Sequence, residues 1–166
     1  DKDGMMLKYI PEEFLSAELC MTALRNNIQS YIYIPIELYD KKISLALVCG
    51  DGMLLEHIPD HIKDSEICMI AIKDNIKAYK YIPNSLLNKE ISLELVSQNG
   101  LLLECIPDDI KDSDICLEAI RNEIYAYEFI PKTLYNTEIS LELVRSDGLL
   151  LEHIPDHIKN SEICMI

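Results

Sequence analysis

Residues 83–106 read "PNSLLNKEISLELVSQNGLLLECI", and a few features of that stretch decide the fold. Asn88 carries a side-chain oxygen able to accept from the free amides of a helix's first turn. Ile91, Ser92, Leu95 and Val96 then recur at the spacing of one helical face. Asn99-Gly100 reads as a stop at which glycine takes the left-handed cap conformation. Residues 101–106 predict a second, shorter helix. Pro107, which has no amide to donate and restrains the residue before it, bends the path into a further turn ending at Ile110.

The same text recurs along the chain. Pro11, Pro35, Pro59, Pro83, Pro107, Pro131 and Pro155 are each 24 residues from the next, which marks a tandem array. Counting from each proline, position 6 is Ser16, Asp40, Asp64, Asn88, Asp112, Asn136 or Asn160, so every unit predicts a helix start there. Acids follow at position 8 in six units and bases sit near the far end (Arg25, Lys73, Arg121, Arg145), as the helix dipole favours. Position 24 is isoleucine in every copy from Ile10 to Ile154, and position 4 is apolar in all seven.

Alternate units differ. Cys20, Cys68, Cys116 and Cys164 hold position 10 in odd units, where even units carry Ser44, Ser92 and Ser140, so the true period is 48 residues. "LLEHIPDHIK" occurs at 54–63 and again at 150–159, two double units apart. Even units stop at Asp51-Gly52, Asn99-Gly100 and Asp147-Gly148, and Asp3-Gly4 is the same stop in a unit cut at the front. Odd units have Ile28, Ile76 or Ile124 instead, which predicts a different bend between their helices.

Helices of about 11 and 6 residues do not persist alone in water. Their stability must come from neighbours, which predicts an all-α fold, an α-solenoid of tandem 24-residue helix-turn-helix units with a 48-residue double repeat. The expected organisation is a single array over 1–166: partial unit 1–10, units 11–34, 35–58, 59–82, 83–106, 107–130 and 131–154, and partial unit 155–166.

With "SEICMIAIKDN" (65–75), "SLELVSQNGLLLECIP" (92–107) and "DICLEAIRNE" (114–123) in view, the chain resembles the helical repeat family catalogued as domain of unknown function 4116. Its units look like a helix with an E-x-C-L-x-A-V core, an Asn-Gly stop and an aromatic-Val-Pro exit. The resemblance covers essentially all 166 residues. Departures are the isoleucine for glycine in odd units and His57, Cys105 and His153 at the usual aromatic position. The resemblance implies an origin in giant viruses of amoebae or in protist-associated bacteria. It supplies no catalytic residues, since the family has no established activity.

Composition narrows the function. A formal net charge of −14 argues against direct nucleic-acid binding, which neutralises phosphates with clustered Lys and Arg. The apolar run from Tyr31 to Ile36 contains Pro35 and falls far short of the roughly 20 residues that cross a bilayer, and no other run is longer than six. The opening "DKDGMML" has neither an initiator methionine nor the build of a secretory signal, so we expect a processed or excised segment. Cysteines on equivalent helix faces two units apart lie beyond bridging distance. They read as small buried residues of a reducing, intracellular compartment: the cytoplasm, a host cytoplasm or a virion.

Candidate sites were weighed against plainer readings. His57 and His61, and His153 and His157, have a His-x-x-x-His spacing that suits zinc on one helical face, but a proline separates each pair, and position 23 otherwise holds packed rings. Tyr31, Tyr79 and Tyr127 recur every 48 residues on the second helix of odd units. They fit either packing between layers, with position 21 buried, or anchors for a partner. Acids are organised too: 20 of the 29 Asp and Glu fall on unit positions 2, 3, 8, 12 and 22. Stripes containing Glu56, Glu104 and Glu152 are either a solvated face or a docking surface for a basic partner. No nucleophile-base pair or phosphate loop stands out, and catalytic constellations break a repeat rather than follow it. The expectation is a non-enzymatic scaffold for protein-protein interaction, without cofactor. The alternative is a self-associating structural component of a filament, particle or virion.

Overall fold

The computed structural model describes residues 4–165. Seven α-helices alternate with short 3-10 helices, and no strand occurs among the described residues. The long helices are α1 (Ala17–Asn26), α2 (Lys41–Gly50), α3 (Ser65–Asp74), α4 (Lys89–Gln98), α5 (Ser113–Asn122), α6 (Thr137–Ser146) and α7 (Ser161–Cys164). Each starts after the position-6 residue, whose side chain accepts from the amide three residues on, as Asp64 does from the Ile67 N–H at 2.9 Å. The all-helical tandem-repeat class read from the sequence is the one observed.

The second helix differs from expectation. It is a 3-10 helix over positions 18–23, as in Gly52–His57, Ile76–Tyr81, Gly100–Cys105 and Ile124–Phe129. Proline supplies one reason. In an α-helix the Leu103 carbonyl would accept from residue 107, which is Pro107 and has no N–H; in the 3-10 form it accepts from Ile106 at 3.2 Å. The tighter coil also spans about 12 Å in six residues, close to the roughly 15 Å of a ten-residue α-helix.

The glycine stops are also corrected. No described residue, glycine included, has a positive φ. The chain turns at the residue before glycine, which is extended: Asp51 has φ −162° and ψ 113°, Asn99 φ −152° and ψ 105°. Its amide closes the long helix (Asn99 to the Leu95 carbonyl, 3.0 Å) while its side chain accepts from the second residue of the short helix (Leu101, 3.1 Å). One Asx residue thus serves two helices. The isoleucine corners do not bend differently: Asn27 and Asn75 have φ −157° and −145° with ψ 112° and 109°, and cap the same way. Glu123 takes the same conformation without a side-chain cap.

Glycine is needed for close approach. A Cβ on Gly52 would run into the Ala71 carbonyl oxygen of α3, and one on Gly100 into that of Ala119 in α5. This contact between an even corner and the following odd helix defines the 48-residue module, since odd units supply alanine at position 13 (Ala23, Ala71, Ala119) where even units have leucine.

The chain divides into two compact units, one ending at Leu86 and the other beginning at Leu87. In the first, α1 packs on α2 and α2 on α3, α3 lies against Gly52–His57, and that short helix lies beside Ile76–Tyr81. Ile43, Leu47, Leu55, Ile67 and Ile72 fill its interior. In the second, α4 packs on α5, α5 on α6 and α6 on α7, with Gly100–Cys105 between α5 and Ile124–Phe129. Its interior holds Ile91, Leu95, Leu103, Ile115, Ile139 and Leu143.

Cys20, Cys68 and Cys116 are buried as expected, whereas Cys164, in α7, is exposed. All six cysteines are free, and burial, first among the causes, pushes the Cys68 and Cys116 thiols up to about 11. The even-unit equivalents Ser44, Ser92 and Ser140 are wholly buried, and their hydroxyls have no hydrogen-bond partner among the described residues. An unmatched buried hydroxyl costs about 1–3 kcal/mol, so Ser92→Ala should raise unfolding stability by about 1 kcal/mol in denaturant titration.

Candidate functional site

The short helices carry the partner-binding candidates. On Ile28–Tyr33, Ile76–Tyr81 and Ile124–Phe129 the fully buried residues are Ser30, Ala78 and Ala126 at position 20. Tyr31, Tyr79 and Tyr127 at position 21 are half-buried instead of buried. A six-residue 3-10 helix turns every three residues, so it rotates position 21 off the inward line that an α-helix would have given it.

Each outer copy gathers three rings. In the first unit, Tyr31 leans on His57, with ring centroids 4.9 Å apart, and its hydroxyl lies 3.3 Å from His57 Nε2. In the second, Tyr127 leans on His153 at 5.0 Å. Tyr39 and Tyr135 complete the clusters. The Tyr135 hydroxyl donates to the Tyr127 carbonyl at 3.5 Å. Burial, then the neighbouring tyrosine and cysteine, raises both phenols above the usual tyrosine range. Tyr39 and Tyr135 were missed in the sequence because they join partners 8 residues away in one direction and 18 in the other. The signal was there: Tyr39 accompanies His57 and Tyr135 accompanies His153, while the intervening copy has Leu87 and Cys105 at those positions. A groove of about 350 Å³ opens over the second cluster, lined by Tyr127, Glu128, Ile130, Lys132, Tyr135 and His153.

The histidine pairs do not share a helix. His57 ends the Gly52–His57 helix, Ile58 is extended (φ −83°, ψ 127°), and His61 lies in the turn beyond Pro59. His153 and His157 are separated in the same way by Ile154 and Pro155. Both first histidines pack against tyrosine, and among the described residues no group of three or more His, Cys, Asp or Glu stands within reach of one metal ion.

Much of the acidity is spent inside the array. Lys41 pairs with Asp64 at 2.7 Å and Glu66 at 2.6 Å, and Lys89 with Asp112 at 2.7 Å and with Asp114. Lys63 and Lys111 have side chains only 5% and 6% exposed. Each ammonium donates to a position-2 aspartate and to the carbonyl ending its own unit's short helix, as from Lys111 to Asp108 (2.8 Å) and Phe129 (3.0 Å). Asp74 and Asn122, at position 16, accept from the Gly52 and Gly100 amides at 2.8 Å, and Asn122 also donates to the Ser97 carbonyl. Position 22 is less committed. Glu56 bonds the Tyr81 hydroxyl, Glu152 lies 3.3 Å from His153 Nε2, and Glu104 and Glu128 are exposed with no cationic partner among the described residues.

Burial pushes the Asp64 and Asp112 carboxyls up, but the Lys41 and Lys89 ammonium groups and the capped amides outweigh it and hold both below the usual range. Groups with depressed folded values stabilise fully above the unfolded carboxylate value of about 3.9 and lose that contribution as pH falls through the folded value. Thermal melts should therefore lose stability below about pH 4. A Lys41→Met, Lys89→Met double variant should lose less over the same interval.

The model of the domain of unknown function family DUF4116 matches residues 40–87 and 88–135 in tandem. Those matches start at Asp40 and Asn88, the caps of α2 and α4, so each spans an even helix, its glycine corner and the odd helix pressed against it. No curated protein and no solved structure matches the chain. No described helix is long and apolar enough to cross a membrane. With two consecutive 48-residue modules covering more than half of its length, the chain belongs to the DUF4116 family.

Proposed function

We propose that the chain is a repeat scaffold that presents its short-helix face to a protein partner and performs no catalysis of its own. The duplicated Tyr-Tyr-His cluster carries this reading. Tyr31 and Tyr127 keep part of their surface in water, His57 and His153 are exposed, and the second cluster floors an open groove. Rings in such settings are the usual anchors of protein interfaces. Tyr79 and Glu56 in the first unit, and Glu104 and Glu152 in the second, belong to the same positions of the repeat and extend the face of their own unit, as repeat folds do for extended contacts. A basic partner suits the acids of position 22, and neither nucleic acid nor a membrane suits the charge. Six free thiols fit a reducing intracellular setting, which for an origin in a giant virus means the host cytoplasm or the virion, and for a protist-associated bacterium its cytoplasm.

A benzophenone amino acid placed at Tyr127 should cross-link a discrete partner in extracts of the source cell, while the same group at Glu90, on the exposed side of α4, should not. Equal labelling from both positions, or labelling from Glu90 alone, would remove the short-helix face from the reading. A structural role is favoured by a different feature, the largely apolar groove of about 220 Å³ lined by Met6, Leu7, Ile10, Leu19 and Ala23 together with Thr22 and Asn26. Particle size that grows with concentration in light scattering, and falls with Leu19→Glu, would support self-assembly.

A further inference from the structure

We infer that the groove beside Gly4 seats one amphipathic helix of a partner protein, a helix with the apolar pattern of α2 and α4 and a lysine in its first turn. This is a second binding surface, separate from the rings of the short-helix face. Its walls are the Gly4–Tyr9 short helix and α1, which pack on one another. They are the counterparts, position for position in the 48-residue module, of Gly52–His57 with α3 and of Gly100–Cys105 with α5. Both counterparts carry a helix: α2 packs on Gly52–His57 and α3, and α4 on Gly100–Cys105 and α5. The chain therefore builds the proposed interface twice for itself, once within each unit.

Exposure picks out the surface to be covered. Met6 is 41% exposed, where Leu54 and Leu102 are 6% and 7%. Leu19 and Ile10 are half-buried, where Ile67 and Ile115 are wholly buried and Ile58 and Ile106 nearly so. These three positions lose their contact with water wherever an even helix packs on the same two elements.

Charge and hydrogen bonding specify the guest. Lys41, the first residue of α2, pairs with Glu66 at 2.6 Å, and Lys89, the first of α4, pairs with Asp114. Glu18 holds that place on α1; it is exposed and has no cationic partner among the described residues. Asn26, in the groove lining, stands where Asn122 donates to the Ser97 carbonyl of α4 at 2.8 Å. A guest helix presents there one of the last-turn carbonyls that its own ladder leaves free. The face that α4 buries is Ile91, Ser92, Leu95 and Val96, the i, i+4 anchor spacing by which helices dock in apolar grooves. In a second copy α2, α4 and α6 already have this face buried, so a second copy is not the guest.

The test is fluorescence anisotropy of the whole chain with a labelled peptide of the sequence 88–99, which carries α4 and its two caps. Saturable binding is expected, and Leu95→Asp in the peptide should weaken it about tenfold or more, since a carboxylate then enters the apolar seat. Met6→Glu in the chain changes an exposed side chain, should leave the circular dichroism unchanged, and should weaken the peptide as much. Glu18→Lys should weaken the native peptide and favour one with Lys89→Glu, an exchange of charge that a peptide adhering elsewhere does not follow. Absence of binding, or binding indifferent to Leu95→Asp and to Met6→Glu, would overturn the inference. So would growth of the chain's own particle size with concentration that Met6→Glu abolishes, because the groove then belongs to a second copy. Cross-linking from Tyr127 does not depend on this groove, so failure here leaves the short-helix face as it stands.

Discussion

Gly100→Ala should destabilise the chain by about 2–3 kcal/mol, whereas Gly148→Ala, at the same place in the repeat, should stabilise it by about 0.5–1 kcal/mol. The two residues share their sequence context, Asx-Gly followed by "LLLE". At Gly100 the added methyl meets the Ala119 carbonyl oxygen, the Glu123 Cβ at 2.9 Å and the Glu123 amide nitrogen at 3.0 Å, and backbone cannot step aside as a flexible side chain would. The shift also strains the Gly100 amide bond to Asn122. At Gly148 a Cβ meets nothing within 4 Å among the described residues and φ is not positive. Only the reduced entropy of the unfolded chain then remains, and it favours alanine. Denaturant titration of the two variants reads the sign directly; loss of stability in both would mean that glycine serves the corner's backbone after all.

Lys111→Ala should cost about 2–3 kcal/mol, an unusual penalty for a lysine. Its stem is buried and its ammonium is the donor to the Phe129 carbonyl at the end of the short helix, 18 residues on. Removing it leaves that carbonyl unmatched and a void along the stem. Lys111→Met keeps the packing and should recover about half of the loss. The Asp108 half of the interaction is exposed, so Asp108→Asn should change stability by less than about 0.5 kcal/mol. Melting of the three variants checks the order Ala, Met, Asn; an Asp108 effect as large as that of Lys111→Ala would show that the ion pair dominates.

The period, the caps and the helical class were legible because each is a local signal repeated seven times. A single Ser, Asp or Asn before an amphipathic stretch is weak evidence, but Ser16 through Asn160 at one register is strong, and all seven cap as read. The errors came where one residue type answers to two physical causes. Glycine after Asp or Asn suits a left-handed cap and also a close crossing; only the alternation of Ala71 and Ala119 with Leu47, Leu95 and Leu143 at position 13 distinguishes them. Lys63 and Lys111 were not singled out in the sequence, since a lysine stem reveals its burial only when a carbonyl waits at its end. The ring clusters were half-seen: Tyr31, Tyr127, His57 and His153 were singled out separately, as aromatic anchors and as metal ligands, and it took contacts across 26 residues to make them one site.

Everything rests on consecutive units being locked at the glycine corners, and hydrogen exchange at the glycine amides, followed by NMR, tests this most directly. The amides of Gly52 and Gly100, held by Asp74 and Asn122 from 22 residues away, should exchange slowly, and that of Gly148, exposed and without a partner among the described residues, should exchange at nearly the free rate. Asn122→Ala should release Gly100 and leave Gly52 protected. A Gly100 amide that exchanges as fast as Gly148 in the intact chain would contradict the lock, and with it the 48-residue module on which the short-helix face is built.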